Sequence, residues 1–371
     1  MIDQKRLVES FMQYVQISSP TRSEKEFAEF LKMELEMLGL SVEMDDTMEE
    51  TGSNCGNLLA TLKGDGKGEP IIFSCHMDTV SPGVGVKPIL ADGVIRSDGT
   101  TILGGDNKAG IAAIVEAIRV IKENNIPHGD IHLAFSVYEE GGLKGAKALD
   151  YSRFGARHAF VLDSGGDPGQ VIVQGPAQDK LNFTVKGKAA HAGVAPEEGI
   201  SAIMIAAEAI ANMKLLRIDS ETTANIGRIE GGSVTNIVTE EVYVTAEARS
   251  LVDHKLEAQS KHMIDCFEKA AQKFGGSVEV EHNRMYSSFK VDENDEIVRN
   301  VFDAFENMGI KAFTQASGGG SDTNIINGKG ITAINLGIGE RKAHSLDEHM
   351  YVKDLVSSAQ LVVEIVKRYH R

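Results

Sequence analysis

Short apolar runs alternate with amphipathic helical stretches through the first two hundred residues, and several of the runs end on His, Asp or Glu. Residues 24–40 carry Phe27, Phe30, Leu31, Leu35 and Leu38 at helical spacing and stop at Gly39. Residues 57–62 and 70–75 are continuous apolar runs of strand length. Residues 109–122 place Ile111, Ile114, Val115, Ile118 and Ile121 on one helical face, and Asn124-Asn125-Ile126-Pro127 ends them. Ile131, Leu133, Phe135 and Val137 then alternate with less apolar residues, as a strand does, and 159–162 is another buried run. Strands alternating with helices imply an α/β layered domain with a largely parallel sheet.

The pattern changes after about residue 179. A strand at 181–186, a helix at 200–214, strands at 222–230 and 241–250, a long helix at 254–274 and a strand at 277–281 give the order β-α-β-β-α-β, that of a ferredoxin-like unit. From Val291 onward helix and strand alternate again. The reading is a discontinuous α/β catalytic domain, 1–178 and 290–371, with an inserted α+β lid at 179–289. The acidic stretch 43–50 reads as a solvated turn.

The chain has 371 residues, 38 Lys and Arg against 54 Asp and Glu, and a formal net charge of −16. That balance argues against nucleic acid or an anionic membrane as a partner. No run reaches the ~18–20 apolar residues of a membrane span. The N-terminal residues read as an amphipathic helix without signal-peptide features, and the three cysteines (Cys55, Cys75, Cys266) form no spaced pair. Both fit a cytoplasmic location.

Five segments place metal-binding or proton-transferring side chains at strand ends or in loops. In Ser74-Cys75-His76-Met77-Asp78, His76 and Asp78 are two positions apart, so they share a side. In Gly104-Gly105-Asp106-Asn107, the Asp106 carboxylate can bridge two cations through its two oxygens or simply cap the helix that follows. Glu139 and Glu140, at the end of a strand and just before Gly141-Gly142, can divide labour between a metal and a proton. Asp163 ends another strand, and His344 lies in Arg341-Lys342-Ala343-His344-Ser345. Any one of these is ordinary; together, at the sheet edge where α/β ligands gather, they imply a metal centre. Imidazole with carboxylate suits Zn²⁺, with Co²⁺ or Mn²⁺ as alternatives. Gly318-Gly319-Gly320-Ser321-Asp322 precedes a helical run and offers N–H groups, Gly319 and Gly320 among them, to an anion.

These segments closely resemble the co-catalytic zinc peptidases and deacylases, a family that includes peptidase T, carboxypeptidase G, acetylornithine deacetylase and succinyl-diaminopimelate desuccinylase. The match runs over essentially the whole chain. Ile126-Pro127-His128-Gly129-Asp130, with Glu139-Glu140 and Lys144-Gly145-Ala146-Lys147, is most similar to the peptidase T branch. The resemblance implies that His76, Asp106 and Asp163 hold one metal, and that Asp106 bridges to a second held by Glu140 and His344. It implies Asp78 as the partner of His76, Glu139 as general base, and a cis peptide after Asp106. It makes His191 of the lid a donor to the tetrahedral oxyanion, and Asn236 and Arg249 binders of the substrate carboxylate.

The function so implied is hydrolysis of amide bonds in small peptides by a metallo-aminopeptidase of tripeptidase type. A water acidified by two cations loses its proton to Glu139, which passes it to the leaving nitrogen. An N-acyl amino acid deacylase or metallocarboxypeptidase on the same scaffold is the alternative. The segment 81–105 is shorter than its peptidase T counterpart, and the sequence around Asn236 is closer to the deacylases. A homodimer through the lid is a further expectation. A two-metal phosphoesterase fits less well, because no extra basic residues surround the motifs.

Overall fold

The computed structural model describes residues 1–370, which form two compact units: 1–173 with 290–316 and 321–370, and 174–289 with 317–320. The first is built on a sheet whose central strands, Ile131–Ser136, Ile71–His76, His158–Ser164 and Thr332–Gly337, lie side by side and parallel. Leu58–Leu62 adds antiparallel to Ile131–Ser136, and Ser41–Met44 adds antiparallel to it in turn. The central strands are apolar throughout because helices cover the sheet; Ile71–His76 and Ile131–Ser136 are buried at every residue.

The helix Gly105–Glu123 buries Ile111, Ile114, Val115, Ile118 and Ile121. It lies so close to the sheet that a Cβ at Gly110 would come 2.4 Å from the Leu162 carbonyl oxygen and 2.7 Å from Cys75 Sγ. The helix after Ser23 runs from Lys25 to Met37, and Gly39 takes the left-handed conformation (φ 78°) past its end.

One sequence expectation is corrected in this unit. The acidic stretch 43–50 is not all turn, since Ser41–Met44 is an edge strand and Met48–Thr51 a short helix. Glu43 and Glu50 mask it, because an edge strand tolerates charge on its open face. A small second sheet, also unforeseen, joins Glu340–Arg341, His349–Tyr351, Val94–Arg96 and Ile89–Ala91.

In the second unit the strands Thr222–Gly231, Glu241–Ser250, Ala177–Lys186 and Ser277–Tyr286 lie in that order, each antiparallel to its neighbour. The helices Ala202–Ala211 and Asp253–Phe274 complete the β-α-β-β-α-β order. Its core includes Leu181, Phe183, Ile205, Val244, Met263 and Phe267. Phe183 and Phe267 stack with ring centroids 4.0 Å apart. No helix among the described residues is long and apolar enough to cross a membrane.

Candidate metal centre

Parallel strands deliver their C-terminal ends to one edge of the first unit, and the sequence-predicted residues of that unit gather there. His76 is the last residue of its strand, Asp163 is the second to last of its own, and Glu139 and Glu140 follow the strand ending at Ser136. Asp106 stands where helix Gly105–Glu123 is interrupted: Asp106 and Asn107 have non-helical backbone, joined by a cis peptide. That peptide matches the expectation drawn from the resemblance. His344 arrives from the loop after Glu340–Arg341, with φ 62°.

Asp106 is the hub. Its Oδ1 lies 2.9 Å from His76 Nε2 and its Oδ2 lies 3.1 Å from His344 Nε2. Asp163 Oδ1 is 3.3 Å from His76 Nε2, and Glu140 Oε1 is 2.8 Å from His344 Nε2. One carboxylate thus faces an imidazole with each oxygen, and each imidazole has a second carboxylate beside it. Ligand atoms of His76, Asp106 and Glu140 all lie within 4.8 Å of one another. Glu139 is outside that set, though it is only 9% exposed.

The donor set fits divalent cations. His76 Nδ1 lies 2.8 Å from the carbonyl oxygen of Asp78, which can only accept, so Nδ1 carries the hydrogen and Nε2 faces the carboxylates. Asp78 therefore supports His76 through its backbone. Its carboxylate, 3.5 Å from the ring, accepts instead from the N–H groups of Glu139 (2.8 Å) and Glu140 (3.2 Å) and from Thr21 Oγ1 (2.8 Å). The Asp163 carboxylate accepts from Asn107 Nδ2 at 2.9 Å, and its backbone is clamped by the Asn335 side chain at 3.0 and 3.1 Å. Glu348, 1% exposed, accepts from the N–H groups of Leu103, Gly104 and Asp106 at 2.8–3.1 Å, fixing the turn that presents Asp106.

The electrostatics are those of crowded acids. Burial works against a charged His76, yet Asp163, Asp106 and Asp78 hold its pKa well above the ordinary value. Hydrogen bonds to Asp106 and Glu140 raise His344 to about 10. Burial raises Asp163 to about 7 against the pull of His76, and raises Glu139 well above the carboxylate range with Asp163, Asp322 and Glu140 adding to it. Asp106 is driven the other way, because its bonds to His344 and His76 outweigh its burial. In the chain alone the imidazolium protons supply the positive charge these carboxylates require, which is the demand a pair of cations meets.

The turn carrying Glu139 and Glu140 is compact. A Cβ at Gly141 would fall 1.8 Å from the Tyr138 ring, so only glycine fits there.

The inserted unit holds the remaining candidates in two places. His191 bridges to Ile237, and Ala192 N–H donates to the Asn236 carbonyl at 2.9 Å, so His191 and Asn236 are neighbours. Gly187 N–H donates to the Glu240 carbonyl, which puts this loop region at the Glu241 end of the strand Glu241–Ser250. Arg249 is eight residues along that strand, about 27 Å away at ~3.4 Å per residue. Its guanidinium pairs with Glu247 at 3.1 Å. Within one chain the structure does not bring Asn236 and Arg249 together.

The glycine loop uses part of its donor capacity itself. Gly319 N–H donates to Ser317 Oγ at 3.0 Å, and Ser321 N–H to Asn324 Oδ1 at 3.1 Å, so these donors are taken internally. Gly320 packs on Tyr286, whose hydroxyl would lie 2.4 Å from a Cβ there.

An α/β sheet edge with paired imidazoles and carboxylates about a shared aspartate defines a site of the metallohydrolase class. A profile of peptidase family M20/M25/M40 matches residues 72–368, and the chain belongs to that family. It is 50% identical to aminopeptidase PepT from Bacillus cereus ATCC 10987, whose structure superposes with a TM-score of 0.92 over 100% of both chains. It is 43% identical to a tripeptidase from Staphylococcus aureus subsp. aureus Mu50, with a TM-score of 0.95 over 99% of this chain and 98% of that one. Peptidase T of Geobacillus kaustophilus (strain HTA426) is 28% identical over 418 residues, 99% of each.

Proposed function

We propose that the chain is an aminopeptidase that releases N-terminal residues from short peptides, tripeptides foremost, with two divalent cations, zinc by preference. The observation that carries this reading is the Asp106 carboxylate facing His76 with one oxygen and His344 with the other, flanked by Asp163 and Glu140. Relatives named aminopeptidase and tripeptidase, at 50% and 43% identity, support it.

His76, Asp106 and Asp163 would hold one cation, and Asp106, Glu140 and His344 the other. Bound there, the pair supplies Lewis acidity to a water and to the scissile carbonyl. Glu139, on the same turn as Glu140, takes the proton from the water and returns it to the leaving nitrogen. Burial raises its pKa above the ordinary carboxylate value, which favours holding a proton between the two transfers. The N–H bonds to Asp78 fix both glutamates at once, so base and ligand keep a constant separation. His191 and Asn236, neighbours in the inserted unit, are proposed to contact the substrate, and Arg249 to bind a carboxylate. A homodimer through the inserted unit belongs to the same reading. That unit leaves Met204, Ile229, Val234, Ile237 and Tyr243 exposed, and sedimentation at assay concentration tests it.

The test is a panel of free-amino tripeptides, their N-acetyl forms and N-acyl amino acids, with Zn²⁺, Co²⁺ or Mn²⁺ supplied and Glu139→Ala as control. Cleavage of the free-amino peptide alone is expected. Cleavage of only the acylated substrates transfers the chain to the deacylases.

A further inference from the structure

Five consecutive residues, Ser136 to Glu140, ending on the paired acids, are each fastened by a side chain from elsewhere in the chain. Ser136 Oγ donates to Asp322 Oδ2 at 2.5 Å, and Val137 N–H to Asn57 Oδ1 at 3.1 Å. Tyr138 N–H donates to Glu24 Oε1 at 3.1 Å, and Asp78 takes the N–H groups of Glu139 and Glu140. The strand ends at Ser136 and Tyr138 adopts φ 55°; beyond it the carbonyls of Val137, Tyr138 and Glu139 accept from the following turn, and the N–H groups are left to these side chains. A residue with a side chain holds that conformation only where its surroundings impose it.

Asp78 has an evident reason to be present, two residues from His76. Glu24 has none of that kind. It stands just before the helix Lys25–Met37, where an acid ordinarily caps the helix, yet its side chain makes no capping bond. It is fully buried, 114 residues before Tyr138 in the chain. A buried carboxylate is costly unless its oxygens are matched. Glu24 meets that cost with Ser53 Oγ at 2.5 Å, Arg22 N–H at 3.0 Å and the Tyr138 N–H. The same linker sends Thr21 Oγ1 to Asp78 Oδ2 and ties its own backbone to Thr79 through bonds of Thr21 N–H and Ser19 carbonyl. The linker between the helices Gln4–Gln16 and Lys25–Met37 thus supplies one of the two carboxylates that hold the Glu139–Glu140 turn and bonds to the other.

We propose that Glu24 is a positioning residue: its carboxylate fixes the Tyr138 peptide and so sets where Glu139 and Glu140 present their side chains. This rests on the reading of Glu139 as base and Glu140 as cation ligand. Because Glu24 acts on the turn and not on substrate, its loss alters proton transfer and cation binding together while leaving substrate affinity nearly intact.

The experiment uses the full chain as wild type, Glu24→Ala and Glu24→Gln. Zn²⁺ affinity is measured by chelator competition, kcat and KM on a free-amino tripeptide, and the melting midpoint on each loaded protein. Glu24→Ala is expected to weaken Zn²⁺ binding ~10-fold or more and to lower kcat by a similar factor, as loss of a group supporting a ligand does, with KM within ~3-fold. Glu24→Gln keeps an oxygen for Tyr138 N–H but loses one acceptor, so a loss of only about 3-fold is expected. A lowered melting midpoint with wild-type Zn²⁺ affinity and kcat would mean a purely structural role and overturn the proposal. If Glu24→Ala does not fold, the Gln variant decides alone, and wild-type values in it overturn the proposal. If the wild type fails to cleave peptides, the aminopeptidase reading falls while the Zn²⁺ titration still decides the role of Glu24.

Discussion

The two units treat their candidate side chains in opposite ways. In the first, most are backed by a buried group: Asp163 by Asn335, the approach to Asp106 by Glu348, and Glu139 and Glu140 by Asp78, while His344 is exposed and held only by Asp106 and Glu140. In the inserted unit His191 and Asn236 are exposed, and the His191 ring accepts from its own loop through Gly193 N–H at 3.1 Å. Reacting groups must be held within fractions of an ångström before substrate arrives, whereas groups that recognise a variable peptide gain from freedom to adjust. Substitutions in the first unit should therefore strike metal binding or proton transfer, and those in the second should leave metal content unchanged while altering how substrate and its oxyanion are held.

The sharpest test of that contrast is Glu139→Gln. Turnover is expected to fall ~10³–10⁴-fold with two cations still bound per chain, by kinetics and metal analysis. Glu140→Gln should instead release a cation and lose activity with it; equal metal loss in both variants would mean the roles are misassigned. Next in size, His191→Ala should lower kcat ~10²-fold, as loss of an oxyanion donor does, with metal content unchanged.

A smaller effect concerns protons. His344 is raised to about 10 in the metal-free chain, so its stabilising contacts are complete below the ordinary 6.5 and are lost as pH rises through about 10. In chelator, the wild-type melting midpoint should fall toward that of His344→Gln over this window, and at pH 8 cation binding should release a proton from His344, seen by calorimetry in two buffers. The mildest change is expected for Arg249→Ala: a KM rise of ~10-fold for peptides with a free carboxylate and little change in kcat. A kcat loss matching that of Glu139→Gln would erase the distinction between the units.

The sequence made the fold legible wherever burial left a periodic trace. Ile111 to Ile121 and Ile131 to Val137 read directly as helix and strand because each lies against apolar partners. The edge strand Ser41–Met44 did not, since Glu43 sits on an open face. Among site residues, those at strand ends stood out by type and place. Their supports did not: Glu24, Asn57, Asn335 and Glu348 act across long sequence separations, Glu348 on Leu103 across 245 residues. Glu24 looks like a helix-starting acid, and only its depth and its bond to Tyr138 say otherwise. Asn335, polar within an apolar strand, was the one signal available. The spacing of Asn236 and Arg249 was legible in principle, because the strand read at 241–250 already puts Arg249 near its far end.

Asp106 and His344 meet across 238 residues. During synthesis the sheet and the site are therefore completed together and late, because Thr332–Gly337 is an interior strand of that sheet. A chain that has emerged only as far as residue 330 already holds His76, Asp106, Glu139, Glu140 and Asp163, but neither His344 nor the strand Thr332–Gly337 with Asn335. By the reading above such a chain lacks a ligand of its second cation and the clamp on Asp163. On that reading a chain that has emerged no further would not hydrolyse peptides, and neither would one cut before His344.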